Sequence, residues 1–319
     1  IEMLGIPGLG PKRIKLMKEE LGVDSVAALK QVALDGLIAP MKGFGEKSQQ
    51  RMLDGIELLA RFRARRRLDV GLMYGEAFQT KIATIDGVIK AQLAGSARRR
   101  KETIGDLDLV VAVKDENREM VSEAILGLPG IADIKGAGDS KISIILDTSI
   151  FEGGFTVGHI DPNVLEAIGG DDYEQLESGG TIDAQVRLVP PEVFPFTLAY
   201  FTGSKEHNIA LRQRAIDRGL KLNEFGLIPD AKAGDLKGMA AAQFSLPATN
   251  EEEIYRHLDL EWVTPELRED TGEILAAESS GLPSLLTGKD IRGALHNHTT
   301  LSDGEATLEQ MADTARKMG

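Results

Sequence analysis

The spacing of hydrophobic positions divides the chain into stretches of different period. Residues 1–60 carry apolar positions at helical spacing, broken by glycines; an amphipathic helix is predicted over Arg13–Leu21 and a longer one from about Lys47 to Arg67. From about 70 to 200, β-branched runs alternate with helical patterns. Leu107–Val113, Ile142–Leu146 and Gln185–Val189 read as strands and Asn117–Leu126 as a helix. Residues 194–260 return to helices and short connections, and 262–290, richer in Pro, Gly, Ser and Glu, read as a linker. A strand-like Arg292–Leu295 then leads into His296-Asn297-His298-Thr299-Thr300-Leu301-Ser302-Asp303-Gly304, followed by a helical pattern to Gly319.

At 319 residues the chain exceeds what one core comfortably supports, so two or more domains are expected. A hydrophobic share of 42% with 27% charged residues excludes fibrous, collagen-like and wholly disordered classes. No apolar run approaches the length of a membrane span, and no basic-then-apolar leader opens the chain. The absence of Cys removes disulfides, thiolate nucleophiles and Cys-ligated zinc. A cytoplasmic location is expected, and an opening Ile in place of Met suggests a fragment of a longer chain. The net charge of −13 argues against a polyanionic partner until its distribution is examined. Residues 1–100 hold 18 Lys/Arg against 11 Asp/Glu, whereas the remainder holds 19 against 39. A cationic N-terminal third on an acidic body points to a localised phosphate-binding face.

Ile6-Pro7-Gly8-Leu9-Gly10-Pro11-Lys12 and Met41-Lys42-Gly43-Phe44-Gly45-Glu46-Lys47 share one pattern, apolar-x-Gly-apolar-Gly-x-Lys, each ahead of a helix. Gly8, Gly10, Gly43 and Gly45 let backbone approach a phosphate. The helix N-termini aim N–H groups at it, and Lys12 and Lys47 add point charges. The duplicated pattern resembles the helix-hairpin-helix motif, a sequence-independent clamp on the DNA backbone. The arginines of 61–67 are either a phosphate stripe or cations at a helix C-terminus, and no site is assigned to them.

The chemistry concentrates in residues 95–110. Asp106 and Asp108 are two apart on a predicted strand, so their carboxylates leave the same face while Leu107 and Leu109 point into a core. Adjacent like charges call for a cation between them, and magnesium with oxygen ligands is the economical choice. Gly95-Ser96 supplies a turn able to approach phosphate, and Arg98 and Arg99 follow as cationic partners.

Gly95-Ser96, Arg98-Arg99 and Gly105-Asp106-Leu107-Asp108 together resemble the signature of the nucleotidyltransferase fold, and more narrowly the family X DNA polymerases, the group that contains DNA polymerase beta. Tyr200-Phe201-Thr202-Gly203-Ser204-Lys205-Glu206-His207-Asn208 supports the narrower resemblance, and the run from His296 to Gly304 resembles the first motif of the polymerase-and-histidinol-phosphatase (PHP) domain. The resemblance implies an α+β architecture. Residues 1–70 would be helix-hairpin-helix fingers, 71–195 a nucleotidyltransferase palm, 196–275 a small thumb, 276–291 a linker, and 292–319 the start of a PHP domain. A lyase-like domain would lie upstream and most of the PHP domain downstream. It further implies Mg2+ or Mn2+ on Asp106 and Asp108, and Zn2+ or Mn2+ on a PHP site to which His296 and His298 contribute. Gly95, Ser96, Arg99 and Gly105 would serve the nucleotide phosphates. Tyr200, Phe201 and Gly203 would serve its sugar, Asn208 its base edge, and Arg212 the template side. Arg187 and Glu224 would form a pair that rearranges on thumb closure. The expected partners are gapped or primer-template DNA and a deoxynucleoside triphosphate, with no membrane and a monomeric state.

The family places a third catalytic carboxylate just before the segment matched by Arg187-Leu188-Val189-Pro190, and here that position is Gln185. Asp183 lies two residues earlier, displaced by roughly 6–7 Å along a regular strand. It would reach that position only through a bulge or register shift. The expected function is therefore template-directed, gap-filling DNA synthesis weakened at Gln185. The alternative is a catalytically impaired DNA-binding scaffold that presents DNA to a PHP phosphoesterase or 3′–5′ exonuclease.

Overall fold

The computed structural model describes residues 2–6, 9–63, 65–148, 180–233, 238–293 and 295–318. The chain divides into two compact units, Ile1–Arg66 and Arg67–Gly319.

The first unit is helical: α1 (Pro11–Leu21), α2 (Val26–Leu34) and α3 (Glu46–Arg63). Pro11 opens α1, where its missing N–H costs nothing, and Gly22 closes it in the left-handed conformation at φ 68°. Ser25 caps α2, its Oγ accepting from the Ala28 N–H at 3.2 Å. The apolar faces meet in a core of Leu9, Met17, Leu29, Ile38, Met52 and Ile56. The longer helix expected to reach Arg67 ends at Arg63, and Arg66–Arg67 are extended. Those two arginines therefore do not continue a helical stripe.

The second unit is built on a five-stranded mixed sheet. Its strands are β1 (Val88–Leu93), β2 (Asp106–Val113), β3 (Ile131–Ala137), β4 (Lys141–Asp147) and β5 (Thr181–Val189), ordered β1-β2-β5-β4-β3. Only β2 and β5 run parallel; the other neighbours are antiparallel. This is the expected α+β architecture. Strict alternation gives β2 two faces. Leu107, Leu109, Val111 and Val113 face a core covered by α4 (Leu68–Ala83) and α6 (Arg118–Leu126). Gly75 lets α4 lie close to the sheet, since a Cβ there would come within 3.0 Å of Leu93 and 3.2 Å of Leu107. On the other face Val110 and Ala112 are buried with Phe194 and Leu198 of α7 (Phe194–Thr202), and Asp106 and Asp108 stand just past that cover. A short α5 (Gly95–Arg98) follows β1.

Beyond α7 come α8 (Lys205–Ile216), a hairpin of β6 (Leu220–Asn223) and β7 (Gly226–Pro229), α9 (Glu251–His257) and α10 (Glu273–Glu278). Phe196, Leu211, Leu227, Ile254, Tyr255 and Val263 form their core. The strands expected at Leu107–Val113, Ile142–Leu146 and Gln185–Val189 are present and start earlier, whereas β1, β3 and the β6–β7 hairpin lack a strong alternating pattern and are additions to that expectation. The strand expected at Arg292–Leu295 is corrected: its described residues are not in a strand, because among the described residues no neighbouring strand offers a ladder. A last helix, α11, spans Leu308–Met318.

Candidate active site

Asp106 and Asp108 leave the same face of β2. In the parallel ladder Asp108 lies beside Gln185 and Asp106 beside Asp183, with unbroken register through Ala112–Val189. No bulge or slip moves Asp183 into the position of Gln185. Burial, and then the charge of Asp106, push the Asp108 carboxyl up to about 7, although Arg187, Arg99 and Lys141 pull the other way. Gly95, at φ 59°, lies so close that a Cβ there would collide with the Asp108 carboxylate. Two crowded carboxylates of which one resists ionisation are short of positive charge, and an oxygen-only donor set suits a hard divalent cation. Asp106 and Asp108 fit such an ion; Gln185 offers only a neutral amide oxygen.

The arginines after Gly95-Ser96 have separate duties. Arg98 donates to both Glu251 oxygens, at 2.9 and 2.5 Å, and to Thr202 Oγ1 at 2.7 Å, so it is a structural ion pair and not a second phosphate ligand. Its partner lies 153 positions away, and no local pattern signals the pairing. Arg99, coupled electrostatically to Asp108, donates from Nε to Glu269 Oε1 at 2.8 Å and from Nη1 to the Thr202 carbonyl at 2.5 Å. Ser96 is half-buried at the same turn, and Gly105 directly precedes β2.

The segment from Tyr200 to Arg212 is equally ordered. Tyr200 and Phe201 rings meet edge to face at 5.2 Å. The Asn208 amide donates to the Tyr200 carbonyl at 2.6 Å, and Arg212 Nε donates to the Asn208 carbonyl at 3.2 Å. Gly203, at φ 72°, precedes a cis peptide to Ser204 and lies against the Arg99 guanidinium. Arg187 stacks over Phe201 at 4.3 Å; burial lowers its proton affinity while Asp108 and Glu224 both attract it. The Arg187 Nε is buried without a hydrogen-bond partner. Catalytic-type carboxylates, the Gly-Ser turn, Arg99 and the Tyr-Phe segment thus belong to one unit.

Comparison with known proteins agrees with this arrangement. Residues 197–269 match the DNA polymerase beta thumb, and residues 1–57 the SAM-like helix-hairpin-helix tandem. "DNA polymerase/3′-5′ exonuclease PolX" of Bacillus subtilis (strain 168) is 32% identical over all 319 residues. Along its whole length the chain is thus similar to family X, the DNA polymerase beta-like polymerases. The chain spans 48% of the length of the Bacillus protein. DNA polymerase lambda of Arabidopsis thaliana is 28% identical over 176 residues, 54% of this chain and 31% of that protein. Among solved structures, the ternary P/T complex of Leishmania infantum polymerase beta shares the fold. Its TM-score is 0.53 at 17% identity, covering 83% of this chain and 95% of the other.

In the separate N-terminal unit, the Gly10 carbonyl accepts from the Arg13 and Ile14 N–H groups as α1 begins. Gly45 does the same for Ser48 and Gln49 at α3. Lys12 and Lys47 are exposed in the first turns of these helices, and nothing fills the space that a side chain on Gly10 or Gly45 would take. Gly43 adopts φ 86°, while Gly8 lies outside the described residues. His296 and His298 rings stand 4.8 Å apart, exposed, and His298 Nδ1 contacts Asp303. Among the described residues no helix is long and apolar enough to cross a membrane.

Proposed function

We propose that the chain is the DNA-synthesising part of a longer polymerase, filling gaps by template-directed transfer of a deoxynucleotide to a primer 3′-hydroxyl. The observation that carries this reading is the placement of Asp106 and Asp108 at the half-buried end of a sheet face shared with Arg187, close to Gly95 and Arg99. Asp106 and Asp108 would hold Mg2+ or Mn2+, which supplies polarisation of the attacking hydroxyl and neutralisation of the departing pyrophosphate. Ser96 and Arg99 bind the triphosphate, Arg99 giving up Glu269 for it. Tyr200 and Phe201 orient the sugar, Gly203 permits its approach, and Asn208 reads the base edge. Arg212 faces the template strand. Arg187, held between Asp108 and Glu224, exchanges partners as the nucleotide is enclosed. Lys12 and Lys47 hold DNA phosphates, and His296 and His298 open a PHP metal site that takes Zn2+ or Mn2+.

Gln185 cannot accept the primer hydroxyl proton, so the chemical step is slow. A second reading, an impaired scaffold delivering DNA to a PHP phosphoesterase, is favoured by one observation: the register leaves Gln185, uncorrected, beside Asp108. Primer extension on a gapped duplex with each metal separates the two. The polymerase reading expects extension by the wild type, none by Asp108→Ala, and a rise of about ten-fold or more in Gln185→Asp, the size of a restored proton acceptor. Extension that survives Asp108→Ala overturns it.

A further inference from the structure

Gln185 is not the only β5 side chain beside a candidate ligand. The same ladder that sets Gln185 against Asp108 sets Asp183 against Asp106. Adjacent strands are about 4.8 Å apart, whereas two residues along one strand span about 6.6 Å. By strand spacing Asp183 is therefore a nearer neighbour of Asp106 than Asp108 is. Three carboxylates form an L with Asp106 at its corner, and Gln185 is the neutral fourth corner. Asp183 already meets a cation: Lys135 Nζ reaches from β3 past β4 to Asp183 Oδ1, at 2.6 Å. Both side chains are about half exposed, 47% and 53%, so the ion pair is weak and displaceable. Among the described residues no three acidic or histidine side chains are grouped closely enough to hold a metal ion. The L closes only when Asp183 leaves Lys135.

We propose that Asp183 is the third carboxylate ligand of the palm metals, entering on the Asp106 side, with Lys135 its displaceable counter-ion. The charge missing at Gln185 is thereby restored one row along the sheet, without any register shift. Metal binding and proton acceptance, joined in one carboxylate by the family pattern, are separated here: Asp183 contributes charge, and no side chain beside Asp108 takes the proton. The inference takes the identity of the cation from the polymerase reading but requires no catalysis.

The test is Mn2+ titration of the whole metal-free chain, following free ion by electron paramagnetic resonance, with Mg2+ calorimetry beside it. Asp183→Asn should weaken binding about ten-fold or more, in the range for loss of a group that supports a metal. Lys135→Met should tighten it by about three-fold at low salt, the scale of an exposed ion pair. Asp133→Asn removes an equal charge from β3 and should change affinity less than about two-fold, as expected for an exposed charge acting only through space. Thermal melting of each variant confirms folding, and Asp183→Glu should retain part of the affinity. Equal losses in Asp183→Asn and Asp133→Asn, or none in Asp183→Asn while Asp106→Asn abolishes binding, would overturn the proposal. Tight, Asp183-dependent Mn2+ binding by a wild type that extends no primer would sink the polymerase reading and leave this one standing.

Discussion

Glu251 is the hub of a buried polar network, and its removal is expected to be severe. Its Oε1 accepts from Arg268 Nη1 at 2.7 Å and from Arg98 Nη1 at 2.9 Å, and its Oε2 from Arg98 Nη2 at 2.5 Å. Side-chain exposures are 6% for Glu251, 0% for Arg268 and 13% for Arg98. Arg268 stacks on Tyr255 at 5.3 Å, and its Nη2 is already without a partner. Glu251→Ala strands the Arg268 charge where no water can reach it, and breaking a buried pair in this way costs about 3–5 kcal/mol. For a unit of this size that corresponds to a Tm lower by about 6–20 °C. Burial pushes the Glu251 carboxyl up, but Arg268 and Arg98 outweigh it and hold it below its ordinary range. The contribution is therefore present above the ordinary carboxylate pKa and is lost as pH falls through the lower folded value. Urea and calorimetric melts of wild type, Glu251→Ala and Glu251→Gln at pH 7 and in acid measure both quantities. A loss below about 1 kcal/mol for Glu251→Ala at pH 7, the scale of an exposed ion pair, refutes the reasoning.

Asp108→Asn should stabilise the metal-free protein at pH 8 by about 2–4 kcal/mol, and not at all near pH 4, since each tenfold change in proton affinity on folding is worth about 1.4 kcal/mol. The sign follows from a folded pKa of about 7 against 3.8: the stability is complete below the ordinary value and lost as pH rises through 7. A pH-independent difference in melting temperature would contradict it. Lys12→Ala with Lys47→Ala should flatten the logarithmic salt dependence of DNA binding by about 2, at about 0.9 for each phosphate no longer neutralised. Fluorescence anisotropy across salt concentrations reads this slope. Arg99→Ala should raise the nucleotide KM about ten-fold by removing a charge-assisted hydrogen bond to phosphate, with gapped-DNA affinity unchanged. A change in kcat alone would point elsewhere.

The parts of the fold that are legible in the sequence are those written locally. The Gly-Lys repeats lie directly ahead of the helices they open, and the Asp106–Asp108 spacing fixes one face of a strand whatever its neighbours. What the sequence does not show is pairing. Whether Gln185 or Asp183 stands beside Asp108 depends on a ladder between segments more than seventy residues apart. The duty of Arg98 depends on Glu251, in a different helix, and three consecutive arginines give no sign of which one is tied down. β3 escapes sequence reasoning because its side chains are almost all exposed, so it carries no hydrophobic alternation. Arg292–Leu295 shows the converse error, an apolar pattern without a strand to pair with.

The parallel pairing of β2 with β5 also fixes an order of assembly. β2 ends at Val113 and β5 at Val189, with β3 and β4 made between them. On a ribosome adding about 5–20 residues each second, β2 waits about 4–15 s for its central neighbour. Through that interval Val110 and Ala112 lack the α7 cover that follows β5, and Asp106 and Asp108 lie on an open edge. The N-terminal unit, whose residues all lie before Arg67, has no such wait and can be complete first. A nascent chain is thus expected to hold its finished N-terminal helices while its acidic face is still half built. The sheet edge bearing the two carboxylates is where a holding chaperone would find it.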